Sequence, residues 1–290
     1  MLYVSGSTFG QNPDRLGEIP WEMGIDGLEA GFLSSWEDAE RLRQFADERG
    51  LAYGIHIPLL RDEQHFVKWL PPLDEAELRP ALDRLRRNME LAQTQKAGYA
   101  IIHIPSRMME PSRWTHVNAR RHRRWVMEVC DRLEAWSSDC RIPIHVEVDG
   151  PNPYLDGADA FVELVQAYPG LHLCLDILKI FFLNCWFEQR SWRDFVAKLA
   201  PYTASLHLQN IQHSRATSGL RLPPHPSQEP ENGWLDVAWI IRTVREANPR
   251  CHLTLEHTHT EREDSYLNSI GTSYERYLKE SITWIQSMLS

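Results

Sequence analysis

Eight short β-rich runs, separated by longer helical patterns, constrain this chain more than any other feature. They are residues 2–7 (LYVSGS), 25–32 (IDGLEAGF), 52–58 (AYGIHIP), 99–105 (YAIIHIP), 142–148 (IPIHVEV), 171–177 (LHLCLDI), 202–208 (YTASLHL) and 251–257 (CHLTLEH). No two are joined by a two-residue hairpin signal. Strand alternating with helix eight times calls for parallel strands with right-handed crossovers. Eight units point to a closed (β/α)8 TIM barrel more than to an open sheet. The open doubly wound sheet is the runner-up, and it wants a Gly-rich phosphate loop after an early strand. Neither GxGxxG nor a Walker A pattern is present. The 290 residues suit one barrel, which typically takes roughly 250, so a single domain over 1–290 is expected.

The intervening segments carry helical periodicity. Residues 74–97 open on Asp74 and Glu77, a capping-box-like pair, and place Leu78, Leu82, Leu85 and Met89 on one face. Val126, Val129, Leu133 and Trp136 do the same, as do Leu278, Ile282, Ile285 and Leu289. Ser35 and Asp38 open a helix ending near Gly50, and 234–247 carries Val237, Ile240, Ile241 and Val244. The first crossover, 10–23, is broken by Pro13, Gly17 and Pro20. Pro and Gly cluster at 58–72 and 219–233, each after a strand end, which reads as two long loops over one mouth.

The strand ends carry the chemistry. Glu147, Asp176, His207 and Glu256 close four successive strands, and His56 and His103 close two earlier ones within a repeated H-I-P string. In a barrel the active site lies at the C-terminal ends of the strands. Side chains two apart on a strand share a side. Glu147 therefore goes with His145, Asp176 with Cys174 and His172, His207 with Ser205 and Thr203, and Glu256 with Thr254 and His252. The opposite side is aliphatic: Ile144 and Val146, Leu173 and Leu175, Leu206 and Leu208, Leu253 and Leu255. The aliphatic side suits packing on outer helices, which turns the polar side toward a common axis.

A lone strand-end carboxylate is usually a loop cap, and a lone inward histidine is usually a hydrogen-bonded core residue. Four ligand types in register on four consecutive strands are harder to explain that way. Three carboxylates and one imidazole make a hard, oxygen-rich site for one divalent cation, Mn²⁺, Mg²⁺ or Co²⁺, with Zn²⁺ also admissible. Such a cation polarises a carbonyl or hydroxyl oxygen, and carboxylates on opposite sides can pass a proton at the adjacent carbon. His145, His172 and His252 lie deeper and read as core or supporting residues.

Composition narrows the classes. No apolar run reaches the roughly 18–20 residues of a membrane span, and no charged segment followed by an apolar one opens the chain. Five cysteines without CxxC spacing suggest reduced thiols and a cytoplasmic location. The net charge of −9 argues against nucleic acid as a partner. Arg107, Arg113, Arg120, Arg121, Arg123 and Arg124 then read as a solvated helix face. Phe32, Trp36, Trp69, Trp114, Trp186 and Trp234 fall near strand ends, where aromatic faces suit the C–H faces of a sugar, although packing between helices explains such residues as well.

The ordered strings resemble the xylose-isomerase-like barrel superfamily, which includes sugar isomerases, ketose 3-epimerases and endonuclease-four-type apurinic endonucleases. GIDGLEAGF (24–32) resembles its second strand, and HIP at 56 and 103 sits where members carry a strand-end histidine. HVEVDG (145–150), LCLDILK (173–179), SLHLQN (205–210) and LTLEHT (253–258) resemble the strands supplying glutamate, aspartate, histidine and glutamate. GWLDVAWII (233–241) resembles a recurrent helix start.

The resemblance implies that Glu147, Asp176, His207 and Glu256 bind the cation. It also implies that Glu147 and Glu256 form the acid/base pair of a sugar or polyol isomerase or epimerase working through an enediolate. His56, His103, Lys179, Trp114, Phe32 and His225 are the candidate substrate contacts, His225 as a lid contact. The partner is then a small-molecule substrate, and association with further copies of the chain is left open. One departure stands out: many relatives have histidine three residues after the metal-binding aspartate, where this chain has Lys179. That weakens a trinuclear endonuclease. The alternatives are an endonuclease-four-like metallohydrolase cleaving phosphodiesters, or a metal-dependent dehydratase or ligand-binding relative.

Overall fold

The computed structural model describes residues 1–61, 75–104, 116–148, 155, 157–186, 191–212 and 220–289. Its strands are β1 (Leu2–Ser5), β2 (Gly27–Ala30), β3 (Ala52–His56), β4 (Tyr99–His103), β5 (Ile144–Val148), β6 (Leu171–Asp176), β7 (Thr203–Leu208) and β8 (His252–Leu255). Each pairs in parallel with the next, and β8 pairs with β1 through Leu2 and Leu253, which closes the barrel. All eight expected runs are strands, so the fold is a (β/α)8 TIM barrel. All eight strands are shorter than the expected runs, β1 and β2 for local reasons. β1 stops at Ser5 because the Ser5 hydroxyl accepts the Ser7 N–H and opens a 3₁₀ turn over Gly6–Phe9. β2 stops at Ala30 ahead of Phe32, whose φ of +54° leaves the extended region.

The helices are α1 (Trp36–Arg49), α2 (Glu75–Thr94), α3 (His116–Cys140), α4 (Ala158–Ala167), α5 (Ile177–Trp186), α6 (Trp192–Leu199), α7 (Val237–Ala247), α8 (Glu261–Ser269) and α9 (Tyr274–Ser287). Ser35 caps α1 through the Asp38 N–H, and Gly50 ends it at φ +65°, as the sequence indicates. α7 starts later than its apolar pattern because Asp236 turns its carboxylate onto the Trp239 N–H. The first crossover holds 3₁₀ turns at Pro13–Glu18 and Trp21–Met23. Of the arginine run, Arg123 and Arg124 are described and exposed. Among the described residues no helix is long and apolar enough to cross a membrane.

Two apolar regions result. The larger lies between strands and helices and takes Ile144, Val146, Leu173, Leu175, Leu206, Leu208, Leu253 and Leu255, all completely buried. The smaller is inside the barrel: Tyr3, Tyr99, Ile101 and Cys174. Room for its two phenol rings comes from glycines on neighbouring strands. Tyr3 pairs with Gly27 and Tyr99 with Gly54, and a Cβ at either glycine would lie 2.2 Å from the facing ring.

Gly54→Ala is therefore expected to destabilise the protein by about 1–3 kcal/mol through overpacking. Gly17→Ala, where an added Cβ meets nothing within 4 Å, is expected to stay within about 0.5 kcal/mol of wild type. Urea unfolding of the two variants makes the comparison, and equal midpoints would contradict the packing account.

Candidate metal and substrate site

The inward residues at the C-terminal ends of the strands converge. Glu147 is the hub: its Oε2 lies 3.1 Å from His56 Nε2, 3.2 Å from His103 Nε2 and 3.9 Å from His207 Nδ1. Registry explains the meeting, since His103 sits opposite Glu147 and Asp176 opposite His207 across the parallel ladders. The His56 ring is 5.0 Å from that of His103 and 5.8 Å from that of His207. Glu256, one residue past β8, extends the ladder by donating its N–H to the Leu208 carbonyl. Its Oε2 lies 2.7 Å from His207 Nδ1. The Glu147 side chain is 3% exposed and that of Glu256 18%, so the first is sealed and the second faces the opening.

Asp176 ends β6 and begins α5. Its Oδ1 accepts the Leu178 N–H at 2.7 Å and a Gln209 side-chain N–H at 3.2 Å. It is a helix cap as well as a mouth carboxylate. Lys179 follows on the first turn of α5, half-buried, and its charge lowers the Asp176 pKa, opposing the larger upward effects.

Two groups of three donor atoms within 4.8 Å of one another occur among the described residues: His56, His103 and Glu147, and His56, His207 and Glu256. Asp176 belongs to neither. The expected four ligands thus divide: Glu147, His207 and Glu256 enter these groups, whereas Asp176 stands beside them with one oxygen already engaged.

One carboxylate escaped the sequence reading. Glu29, in the middle of β2, is completely buried. It accepts a hydrogen bond from Tyr99 Oη at 2.9 Å, and its Oε1 lies 3.2 Å from His207 Nε2. His207 is held between two anions, Glu29 at Nε2 and Glu256 at Nδ1, and among the described residues Nδ1 makes no hydrogen bond despite the 2.7 Å approach. A bare imidazole lone pair facing a carboxylate oxygen is repulsive, so either a proton or a cation belongs between them. The donor set fits a divalent cation on this ground.

The charges follow the same logic. Burial pushes the Glu147 pKa up, but His103, His56 and His207 outweigh it and hold the carboxyl well below the usual range. Burial opposes protonation of His207, yet Cys174, Glu256 and Glu29 raise its pKa well above the ordinary imidazole value. Asp176 is pushed up to about 7 by burial and by its neighbours Glu147 and Glu256.

The remaining candidates separate. Phe32 reaches the site, its ring 5.0 Å from that of His56. Its left-handed φ is unusual for a bulky residue, and hydrogen bonds from the Phe32 N–H to the Pro58 carbonyl and from the Leu33 N–H to the Leu59 carbonyl hold it there. His225, the expected lid contact, is turned toward α9. Its Nδ1 accepts the Ser227 N–H, its Nε2 lies 3.1 Å from a Glu280 oxygen, and its ring stacks at 4.0 Å on Tyr277. The loop is pinned to α9 instead. Trp114 and Trp69 lie outside the described residues. Trp36 donates to Glu40 on its own helix, and Trp234 is buried. His145 and His252 pack on Tyr99 and Tyr3 in a layer nearer the N-terminal mouth, where His172 also lines a cavity of about 830 Å³.

The family model for xylose isomerase-like TIM barrels matches residues 21–288. The chain belongs to this family. Among solved family-like structures, 3-keto-D-glucoside 4-epimerase from E. coli is 13% identical with a TM-score of 0.68, over 99% of this chain and 98% of that one. D-psicose 3-epimerase, crystallised in the presence of D-fructose, is 14% identical with a TM-score of 0.67, over 99% of each chain. A xylose isomerase-like barrel from Mycobacterium smegmatis in complex with magnesium is 15% identical with a TM-score of 0.57, over 96% of this chain and 89% of that one. These likenesses are of fold. No curated protein matches the chain.

Cation uptake must displace protons. With its pKa near 7 in the folded protein against 3.8 ordinarily, Asp176 holds a proton that the unfolded chain loses between those values. Its burial therefore costs the metal-free protein stability progressively as pH rises from about 4 to 7. The same proton competes with a cation below pH 7. Mn²⁺ is expected to bind with proton release at pH 6 and more tightly as pH rises through 7. Calorimetry in buffers of different ionisation enthalpy measures this, and an affinity flat from pH 5.5 to 8 would contradict it.

Proposed function

We propose that the protein is a divalent-metal-dependent sugar or polyol isomerase or epimerase, with Glu147 and Glu256 as its proton-transfer pair. The observation that carries this reading is the placement of two mouth carboxylates around one buried imidazole, Glu147 and Glu256 at 3.9 and 2.7 Å from His207 Nδ1. Glu147, His207 and Glu256 would hold the cation, with Asp176 beside them. When bound, a divalent cation polarises a substrate carbonyl and acidifies the adjacent C–H.

The chain's own groups then divide the work. Glu147, with one oxygen held by His56 and His103, is a fixed and weak base, suited to a carbon acid already activated. Glu256 is the more open carboxylate and returns the proton at the other side. Phe32 offers an apolar face beside His56, and Lys179 offers an ammonium at the rim for a substrate hydroxyl or an anionic substituent. Epimerases among the structural neighbours support the broader reading of a sugar isomerase or epimerase by their fold and the chemistry their names describe.

Incubation with a panel of keto-sugars and keto-polyols in D₂O with Mn²⁺, Mg²⁺ or Co²⁺ tests the reading. Deuterium is expected at the carbon next to the carbonyl of at least one of them. Glu147→Gln is expected to cut that exchange by about 10²–10⁴-fold, the usual worth of a general base, without loss of fold. Exchange at the wild-type rate in Glu147→Gln would sink the proton-transfer role.

The second donor group of His56, His103 and Glu147 favours one further reading, an endonuclease-four-like metallohydrolase with more than one cation. Elemental analysis after gentle purification separates the two. One exchangeable cation per chain is the expected result. Two tightly held zinc ions with cleavage of abasic-site DNA would favour the hydrolase instead.

A further inference from the structure

Glu29 is a completely buried carboxylate inside the barrel, and the proton-transfer scheme does not use it. It stands on β2 between Leu28 and Ala30, completely shielded from water. Burying a carboxylate is expensive unless charged or hydrogen-bonding partners answer it. Its partners come from strands that do not pair with β2: Tyr99 on β4, donating from Oη at 2.9 Å, and His207 on β7, with Nε2 3.2 Å from Oε1 and 3.4 Å from Oε2. A carboxylate can only accept. The geometry therefore requires a proton on His207 Nε2, and that leaves Nδ1 as the atom turned toward Glu256 and Glu147.

We propose that Glu29 is a positioning residue. It fixes the ring angle of His207 and keeps Nε2 protonated, so that Nδ1 is the nitrogen presented to the cation, and Tyr99 holds Glu29 in place. A carboxylate behind a metal-binding histidine raises the basicity of the ligand and locks its tautomer. Tyr99 can serve Glu29 because Gly54, on the strand between them, has no side chain in the way of the phenol ring. This inference rests on the cation site proposed above.

The alternative is that Glu29 and His207 merely fill the barrel as a charge pair. The two accounts differ in what they change. A filler costs stability when removed. A positioning residue also alters cation affinity and the state of the Nε2 proton.

The experiment uses the full chain carrying ¹⁵N-labelled histidine, with Mn²⁺ affinity read from the EPR signal of the free ion. In wild type, the buried His207 Nε2–H is expected to give a slowly exchanging downfield proton resonance, both metal-free and loaded with Mg²⁺. Glu29→Gln is expected to lose or strongly shift that resonance and to weaken Mn²⁺ binding by about 10–100-fold. Tyr99→Phe keeps the carboxylate and removes one donor, and it is expected to weaken binding by a smaller factor. It is also the variant to rely on if Glu29→Gln does not fold.

A folded Glu29→Gln protein that binds Mn²⁺ as wild type does, or keeps the Nε2–H resonance unchanged, would overturn the proposal. So would Tyr99→Phe with wild-type affinity and spectrum, should it be the only variant that folds. If wild type itself takes up no divalent cation, the metal-dependent function fails instead, and the metal-free Nε2–H resonance still decides whether Glu29 sets the imidazole.

Discussion

A closed parallel barrel gives each strand two destinations and no third. Every second side chain meets a helix, and every other one meets the axis, where eight strands compete for a narrow column of space. The aliphatic members, such as Leu173, Leu206 and Leu253, take the outer side. Polar groups deep on the inner side are shut off from water, and Glu29, Tyr99 and His207 answer one another. The layered order inside this barrel follows from that: rings of Tyr3, Tyr99, His145 and His252 toward one mouth, Glu29 with His207 in the middle, and the histidine-held Glu147 toward the other.

The same constraint concentrates charge. Against the effect of burial, Glu147 is stabilised as an anion by imidazoles from β3, β4 and β7, and protonation of His207 is favoured by Cys174, Glu256 and Glu29. Asp176, buried and beside the carboxylates of Glu147 and Glu256, is pushed the other way. A site of this kind has its ionisation states set by neighbours rather than by solvent.

Much of this was legible in the sequence, for physical reasons. Period-two alternation and strand-end placement found all eight strands and brought Glu147, His207, Glu256, His56 and His103 to one mouth. α5 was not foreseen because ILKIFFLNCW is almost wholly apolar, with no 3.6-residue contrast to read, and it begins at Asp176 without a break. Glu29 was missed because its meaning lies in partners 70 and 178 residues away. Its own strand, GLEA, offers no ligand-like neighbour. The contacts of His225 with Tyr277 and Glu280 were not legible because they depend on how its loop folds onto α9.

The two tyrosine–glycine pairs have a consequence for assembly. Parallel strands can in principle slide past one another in steps of two residues and keep the hydrogen-bonding pattern and every inward or outward assignment. Here such a slip between β1 and β2, or between β3 and β4, would press a phenol ring against a neighbour that carries a side chain. Tyr3 in the slot of Gly27 and Tyr99 in the slot of Gly54 thus act as keys that index the stagger of the strands. Because the stagger of a closed barrel is shared by all its strands, two keyed joints restrict the register of the whole ring. The height at which the distant histidines and carboxylates meet is set in part by two side chains that glycine does not have.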